Sequence, residues 1–322
     1  MQVKRLLLFL FLVFLAACGG RDNKRNVPLI GFLDLLHDET LAQAKKGFFV
    51  ALKENGFSPT DGSVEILYRN AQNDQPTLIQ ACDYLISQKV DLIATNPTLS
   101  TITAVQRTSR IPIFMMVSPS PEIAGLTDES GNAPPNLFGV FETLDYIDTS
   151  LALIKSVMPD AKKIGTVFNQ SEPQSVDALE QIRKGCESLG LQIEAMPVNN
   201  SNETQLVVAA LLNKKIDAFF ALPDNVVFSS MEVIVQLCDK ASVPVFTSEE
   251  GLVMRGALCA YGADMYSWGY QSGLQAVKML QSRTAEGLKP EPVEFRRRVY
   301  NPEKSKLFGL EFDSTFTAVT RP

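Results

Sequence analysis

Strand and helix alternate along this chain, and about half-way along the alternation starts again. Apolar, strand-like runs fall at 28–33, 64–68, 91–95, 111–117 and 137–141, and helical stretches at 41–54, 76–87 and 99–108 separate the first four. Strands that are apolar along their length, each followed by a helix, form a parallel sheet covered on both faces. The second round has strands at 163–168, 191–197, 217–222 and 244–247, with helices at 175–189, 204–212 and 226–240 between them. Ile30-Gly31 is matched by Ile164-Gly165, and Gly56 by Gly190 at the same spacing. Ile111-Pro112-Ile113-Phe114 is echoed by Val243-Pro244-Val245-Phe246. Such a repeat implies an α/β protein of two similar lobes, each a parallel sheet flanked by helices, facing one cleft.

Helices at 144–158 and 265–281 occupy corresponding places after the two sheets, so each is expected to lie beyond a chain crossover. Hinges then fall near 141–144, 261–265 and 289–293. The first lobe is expected to comprise 27–141 and 262–290, and the second 142–261 and 291–322. A loop rich in turn residues at 127–136, a strand at 293–299, a short helix at 302–308 and a fraying end complete the expectation.

The N-terminus has a different character. Lys4 and Arg5 precede an unbroken apolar run at 6–15, of signal-peptide length and short for a membrane span. The run ends in Leu15-Ala16-Ala17-Cys18-Gly19, small residues before a cysteine, which resembles the bacterial lipobox. That resemblance implies a signal peptide at 1–17, lipidation of Cys18, a polar tether at 18–26 and an anchor on the extracytoplasmic face of a bacterial membrane. Several acyl chains on one residue hold stably where one does not. The competing reading is an ordinary signal with an incidental cysteine.

With 20% charged residues and a net charge of −6, the chain is globular in composition and offers nucleic acid no basic surface. The run Arg296-Arg297-Arg298 is expected to be the solvated part of a surface strand. Cys82, Cys186, Cys238 and Cys259 form no CxxC pair, so no metal site or redox motif is indicated, and buried free thiols are expected. No glycine-rich phosphate motif occurs, and no cofactor is expected. His37 is the sole histidine, which leaves general acid-base catalysis poorly supplied.

Ligands of open α/β sheets bind outside the carboxyl ends of the strands. Those ends lead here into loops at 34–40, 94–100, 117–123, 169–175, 221–227, 247–253 and 261–267, none of which contains Lys or Arg. The candidate ligand contacts on them are His37, Asn96, Thr98, Ser118, Asn169, Glu172, Ser175, Asp224, Asn225, Glu249, Tyr261 and Asp264. Acids without cations suit an ammonium group better than an anion. Phe32, Phe168, Phe228, Tyr261 and Tyr266 lie at or beside the same loops, so a zwitterion with an apolar or aromatic side chain fits the inventory. Asp224, in Leu222-Pro223-Asp224-Asn225, is expected either to meet the ligand's ammonium or to cap the following helix.

Arg255-Gly256-Ala257-Leu258-Cys259-Ala260-Tyr261-Gly262-Ala263-Asp264-Met265-Tyr266 is similar to an R-G-A-L-A-T-Y-G-x-D-Y-Y run of the bacterial ABC-transporter substrate-binding lipoproteins with a type I periplasmic-binding fold. Asn169 to Ser175 resembles that family's N-x-x-E-x-x-S turn. The likeness extends over nearly all the mature chain and is strongest to the members that bind tryptophan or phenylalanine. Leu222 stands before Pro223-Asp224-Asn225 where the family has P-T-D-N, and Pro119-Ser120-Pro121 replaces its T-D-P. The resemblance implies a monomeric receptor that closes on a small molecule and delivers it to permease and ATPase subunits. The alternative on the same scaffold is a surface lipoprotein acting as sensor or adhesin, and an enzyme comes third.

Overall fold

The structure, a computed structural model, describes residues 27–144 and 146–319. The first sheet contains β1 (Leu29–Asp34), β2 (Glu65–Asn70), β3 (Leu92–Asn96), β4 (Ile113–Met115), β5 (Leu137–Phe141) and, from far along the chain, β11 (Glu291–Pro292). Its order is β11-β5-β4-β3-β1-β2, parallel throughout. The second sheet contains β6 (Lys163–Phe168), β7 (Gln192–Pro197), β8 (Ala218–Ala221), β9 (Val245–Thr247), β10 (Cys259–Ala263), β12 (Arg296–Tyr300) and β13 (Thr317–Ala318). It runs β13-β12-β10-β9-β8-β6-β7, with β12 antiparallel to β10. Strand order reverses between β1 and β3 in one sheet and between β6 and β8 in the other, so each sheet presents a switch-point crevice.

The crossover helices follow their apolar stripes. In the first lobe these are α1 (Glu39–Glu54), α2 (Gln75–Ser87) and α3 (Thr98–Arg107); α4 (Tyr146–Val157), α5 (Pro173–Ser188) and α6 (Ser201–Leu212) belong to the second. Phe32, Phe48 and Phe114 fill the first core, and Phe219, Phe220 and Phe246 the second, all fully buried.

The single helix expected at 226–240 is divided at Ser230 into α7 (Asn225–Ser229) and α8 (Met231–Lys240). A short helix absent from the expectation, α9 (Glu250–Met254), follows β9. The strand expected at 293–299 begins later, as β12, because Glu291–Pro292 pairs with β5 in the first sheet. The chain therefore passes between lobes after β5, after β10 and between β11 and β12.

Helix α10 (Met265–Ser282) returns to the first lobe and lies directly on α1. A Cβ built on Gly269 would stand 1.8 Å from the Ala44 carbonyl oxygen, so glycine sets how near the two helices can come. Trp268 Nε1 donates to the Val140 carbonyl at 2.8 Å, and Ser272 Oγ to that of Met115 at 2.9 Å, which fixes α10 against β4 and β5. Helix α11 (Pro302–Phe308) and β13 close the second lobe. The four cysteines that the structure describes are free and buried.

Candidate functional site

Both switch points carry an Asp–Asn clasp. In the first lobe, Asn96 at the end of β3 donates from Nδ2 to Asp34 Oδ1 at the end of β1, at 3.2 Å, and to the Leu41 carbonyl. In the second, the Asn169 backbone N–H after β6 donates to Asp224 Oδ2 after β8, at 2.7 Å. Each lobe thus ties its two central strand ends through an Asp, which stands on β1 in the first lobe but after β8 in the second.

Asp224 is fully buried and its acceptor positions are taken by the protein. Oδ1 accepts the Val226 and Val227 N–H groups at the start of α7, at 2.7 and 3.0 Å, and Oδ2 also accepts the Ser175 hydroxyl at 2.6 Å. Glu172 is similarly engaged. Oε1 accepts Asn169 Nδ2, and Oε2 accepts the Gln174 amide together with the Asn225 backbone and side-chain N–H groups. Burial, with Asp224 close by, pushes the Glu172 carboxyl up to about 8 against the lowering effect of these donors. These two acids hold the second-lobe loops in shape.

Between the lobes lies a narrow cavity of about 30 Å³, room for about one water molecule, so a small-molecule ligand requires the lobes to part further. The first lobe contributes Pro97, Thr98, Val117, Ser118, Pro119 and, from α10, Trp268; the second contributes Gln174, Pro223, Asn225, Phe228 and Glu249, with Glu142, Leu144 and Tyr146 arriving from the crossover. Among the described residues, five buried side-chain atoms have no hydrogen-bond partner, and three of them belong to this lining: Ser118 Oγ, Gln174 Oε1 and Glu249 Oε2. An orphaned buried polar atom costs about 1–3 kcal/mol, so three around one cavity mark it as the candidate site.

The two cavity carboxylates differ. Glu142 is bound in fork geometry by Arg296 and also accepts the Thr143 N–H. Among the described residues, Glu249 accepts only the Ser248 hydroxyl, on Oε1, and burial, helped by Glu142, pushes it up to about 8. Val117 and Leu144, both in the lining, adopt φ of 49° and 70°, left-handed conformations that cost non-glycine residues on the order of 1–3 kcal/mol each. Helix α3 starts at Thr98, and its N-cap Pro97 supplies no side-chain cap, so the positive end of the helix dipole abuts the cavity.

Of the twelve candidates from the sequence, Thr98, Ser118, Asn225 and Glu249 line the cavity. His37 is exposed in the turn after β1, because Leu35 and Leu36 take the buried positions there. Asn169, Glu172, Ser175 and Asp224 are engaged in the second-lobe clasp, and Asn96 has its Nδ2 engaged but its Oδ1 without a partner among the described residues; none of the five belongs to the lining. Tyr261 sits within β10, where its carbonyl accepts the Ser150 hydroxyl. Asp264 caps α10 by accepting the Ser267 N–H and faces an outer groove. The arginine run is not simply solvated: Arg296 binds Glu142 and Arg297 binds Glu250. Gln174 and Trp268 were missed; the first lies inside an identified loop, while the second stands one residue beyond another. No cluster of metal-ligating side chains occurs among the described residues.

An interlobe cavity at two switch points, lined by apolar rings and a few unsatisfied polar atoms, is the arrangement of a two-lobed solute receptor. The chain belongs to the ABC transporter substrate binding protein family, whose model matches residues 30–314. Its members are binding proteins and not enzymes. The chain is 30% identical to a tyrosine-binding protein of Clostridioides difficile, over 90% of this chain and 83% of that one. Its fold matches the ABC domain from Streptococcus pneumonia solved in complex with L-Trp, with a TM-score of 0.83, 23% identity and 90% and 97% of the two chains covered. It also matches a ligand-free, open substrate binding protein with adhesive properties from Clostridium difficile, with a TM-score of 0.69, 29% identity and coverage of 92% and 100%.

Proposed function

We propose that this protein is the lipid-anchored receptor of an ABC importer and that it captures an aromatic amino acid between its lobes for delivery to a permease. The observation that carries this reading is the set of unpartnered atoms, Ser118 Oγ, Gln174 Oε1 and Glu249 Oε2, around a cavity walled by Trp268, Phe228 and Tyr146. The carboxylate and amide oxygens suit the ligand's ammonium, whereas the Ser118 hydroxyl and the start of α3 suit its carboxylate. Trp268, Phe228 and Leu144 suit an aromatic ring. The ligands named for the two relatives, tyrosine and L-Trp, support the same class.

Calorimetric titration with tryptophan, phenylalanine, tyrosine, leucine and phosphate tests it. At least one aromatic amino acid is expected to bind far more tightly than leucine or phosphate. Tight phosphate binding, with none for the aromatic amino acids, would refute the assignment.

Cys18 lies outside the described residues, and the lipobox resemblance alone supports the anchor. Cys18→Ser is expected to release the protein from membranes and abolish palmitate labelling. Continued detergent partitioning and labelling of this variant would remove the anchor from the proposal. A second reading, an adhesive surface role, is favoured by the adhesive relative.

A further inference from the structure

The motif residue Arg255 takes no part in the cavity, yet it lies at the seam between the lobes. It follows α9, and the second lobe alone holds its guanidinium in place: Nε and Nη2 donate to Glu232 on α8, each at 2.8 Å, and Nη2 also donates to the Phe228 carbonyl at 2.7 Å. Only Nη1 reaches across to the first lobe, where it donates to Asp38 Oδ2. Asp38 is itself fixed, since its Oδ1 caps α1 by accepting the Thr40 and Leu41 N–H groups at 2.8 and 3.0 Å. The two side chains are only 8% and 3% exposed, and neither lines the cavity.

The backbone is shaped to let them meet. Gly251 on α9 lies against Thr40 on α1, and a Cβ there would stand 2.3 Å from Thr40 Cγ2. Glycine lets the start of α9 seat on the start of α1, which brings Arg255 to Asp38. Both groups are preorganised within their own lobes, so their bond adds little ordering cost when the lobes meet. Because the bond joins opposite lobes, opening the cleft must break it.

We propose that Asp38 and Arg255 form an interlobe latch, seated through Thr40 and Gly251, that retains the ligand without touching it. Arg255 is then a positioning residue: through the Phe228 carbonyl it couples latching to the wall of the cavity. This inference rests on the aromatic amino acid reading only for its choice of probe.

Asp38→Asn isolates the latch, since asparagine caps a helix as well as aspartate and leaves α1 intact, while the charge facing Arg255 is removed. Stopped-flow release of L-tyrosine, L-phenylalanine or L-tryptophan, whichever the wild type binds, is expected to accelerate roughly ten- to a hundredfold, with association nearly unchanged. Gly251→Ala, which obstructs the seat without altering charge, is expected to accelerate release as well. Small-angle scattering should show a larger radius of gyration for both ligand-free variants, and their melting temperatures should match wild type. Unchanged release together with an unchanged radius of gyration would overturn the latch, as would weakened binding that tracks a lowered melting temperature. If wild type binds none of the three amino acids, the ligand assignment fails, and the scattering comparison alone decides the latch.

Discussion

Glu249→Gln is expected to weaken binding of the aromatic amino acid by roughly ten- to a hundredfold. The substitution keeps shape and burial but removes the charge, and a hydrogen bond to a charged partner contributes about 1.5–3 kcal/mol. Glu249 is singled out because Oε2 has no donor among the described residues, whereas Arg296 already neutralises Glu142. The effect should depend on pH. Burial raises Glu249 from its ordinary 4.5 to about 8, so without a cationic partner it is mostly protonated at neutral pH. A carboxyl raised in the folded state contributes stability that is fully present below its unfolded value and is lost as pH rises through about 8, with a slope of up to about 1.4 kcal/mol per pH unit. The ligand's ammonium favours the ionised form instead, so binding releases a proton and wild-type affinity rises between about pH 6 and 8. Calorimetry in two buffers of different ionisation enthalpy measures this proton directly. Equal affinities for wild type and Glu249→Gln at pH 8, with no proton released, would place the ammonium elsewhere. Glu172, also raised to about 8, adds to the fall in stability with pH but not to the ligand-linked proton, since its oxygens are already occupied.

Replacement of Asp224 by alanine is expected to destabilise the second lobe by about 3 kcal/mol, the largest stability effect predicted for a site residue. Alanine removes the cap of α7, about 1 kcal/mol, and leaves the buried Asn169 N–H without its closest acceptor, which costs about 1–3 kcal/mol more. Asp224→Asn separates the two parts. Its carbonyl oxygen can still cap α7, but its NH2 group then confronts the Asn169 N–H, a donor meeting a donor. The asparagine variant should therefore lose about 1–3 kcal/mol, less than alanine but well above zero. Chemical denaturation followed by circular dichroism reads both. A two-residue clasp with no structural weight would give asparagine and alanine variants within a few tenths of a kcal/mol of wild type. Affinity measured well below the melting temperature should change little for Asp224→Asn, because Asp224 stands behind the lining. A tenfold loss there would return it to the role of ammonium partner.

Much of the architecture was legible in the residues. Apolar runs such as Ala218–Ala221, each followed by a helix, fix a parallel sheet through local periodicity, and the matched Ile-Gly and Gly positions reveal its duplication. The strand-end loops are also local features, so the neighbourhood of the site could be located and its shortage of cations noted. What each polar side chain does there depends on topology. Asp224, Glu172 and Asn96 are turned to buried donors and acceptors that the chain brings alongside only once the strands are ordered, some of them more than fifty residues away. Arg296 reaches Glu142 across 154 residues, and Arg255 reaches Asp38 across 217. Trp268 and Tyr146 enter the cavity because helices beyond the crossovers dock against it, which no local pattern encodes. The sequence by itself therefore determined the two sheets, their duplication and the end of each sheet where the interlobe cavity lies. Tertiary structure decided which polar groups remain unpaired there, because buried donors and acceptors are satisfied first by whatever partner the fold supplies, and only those left over are available to a ligand.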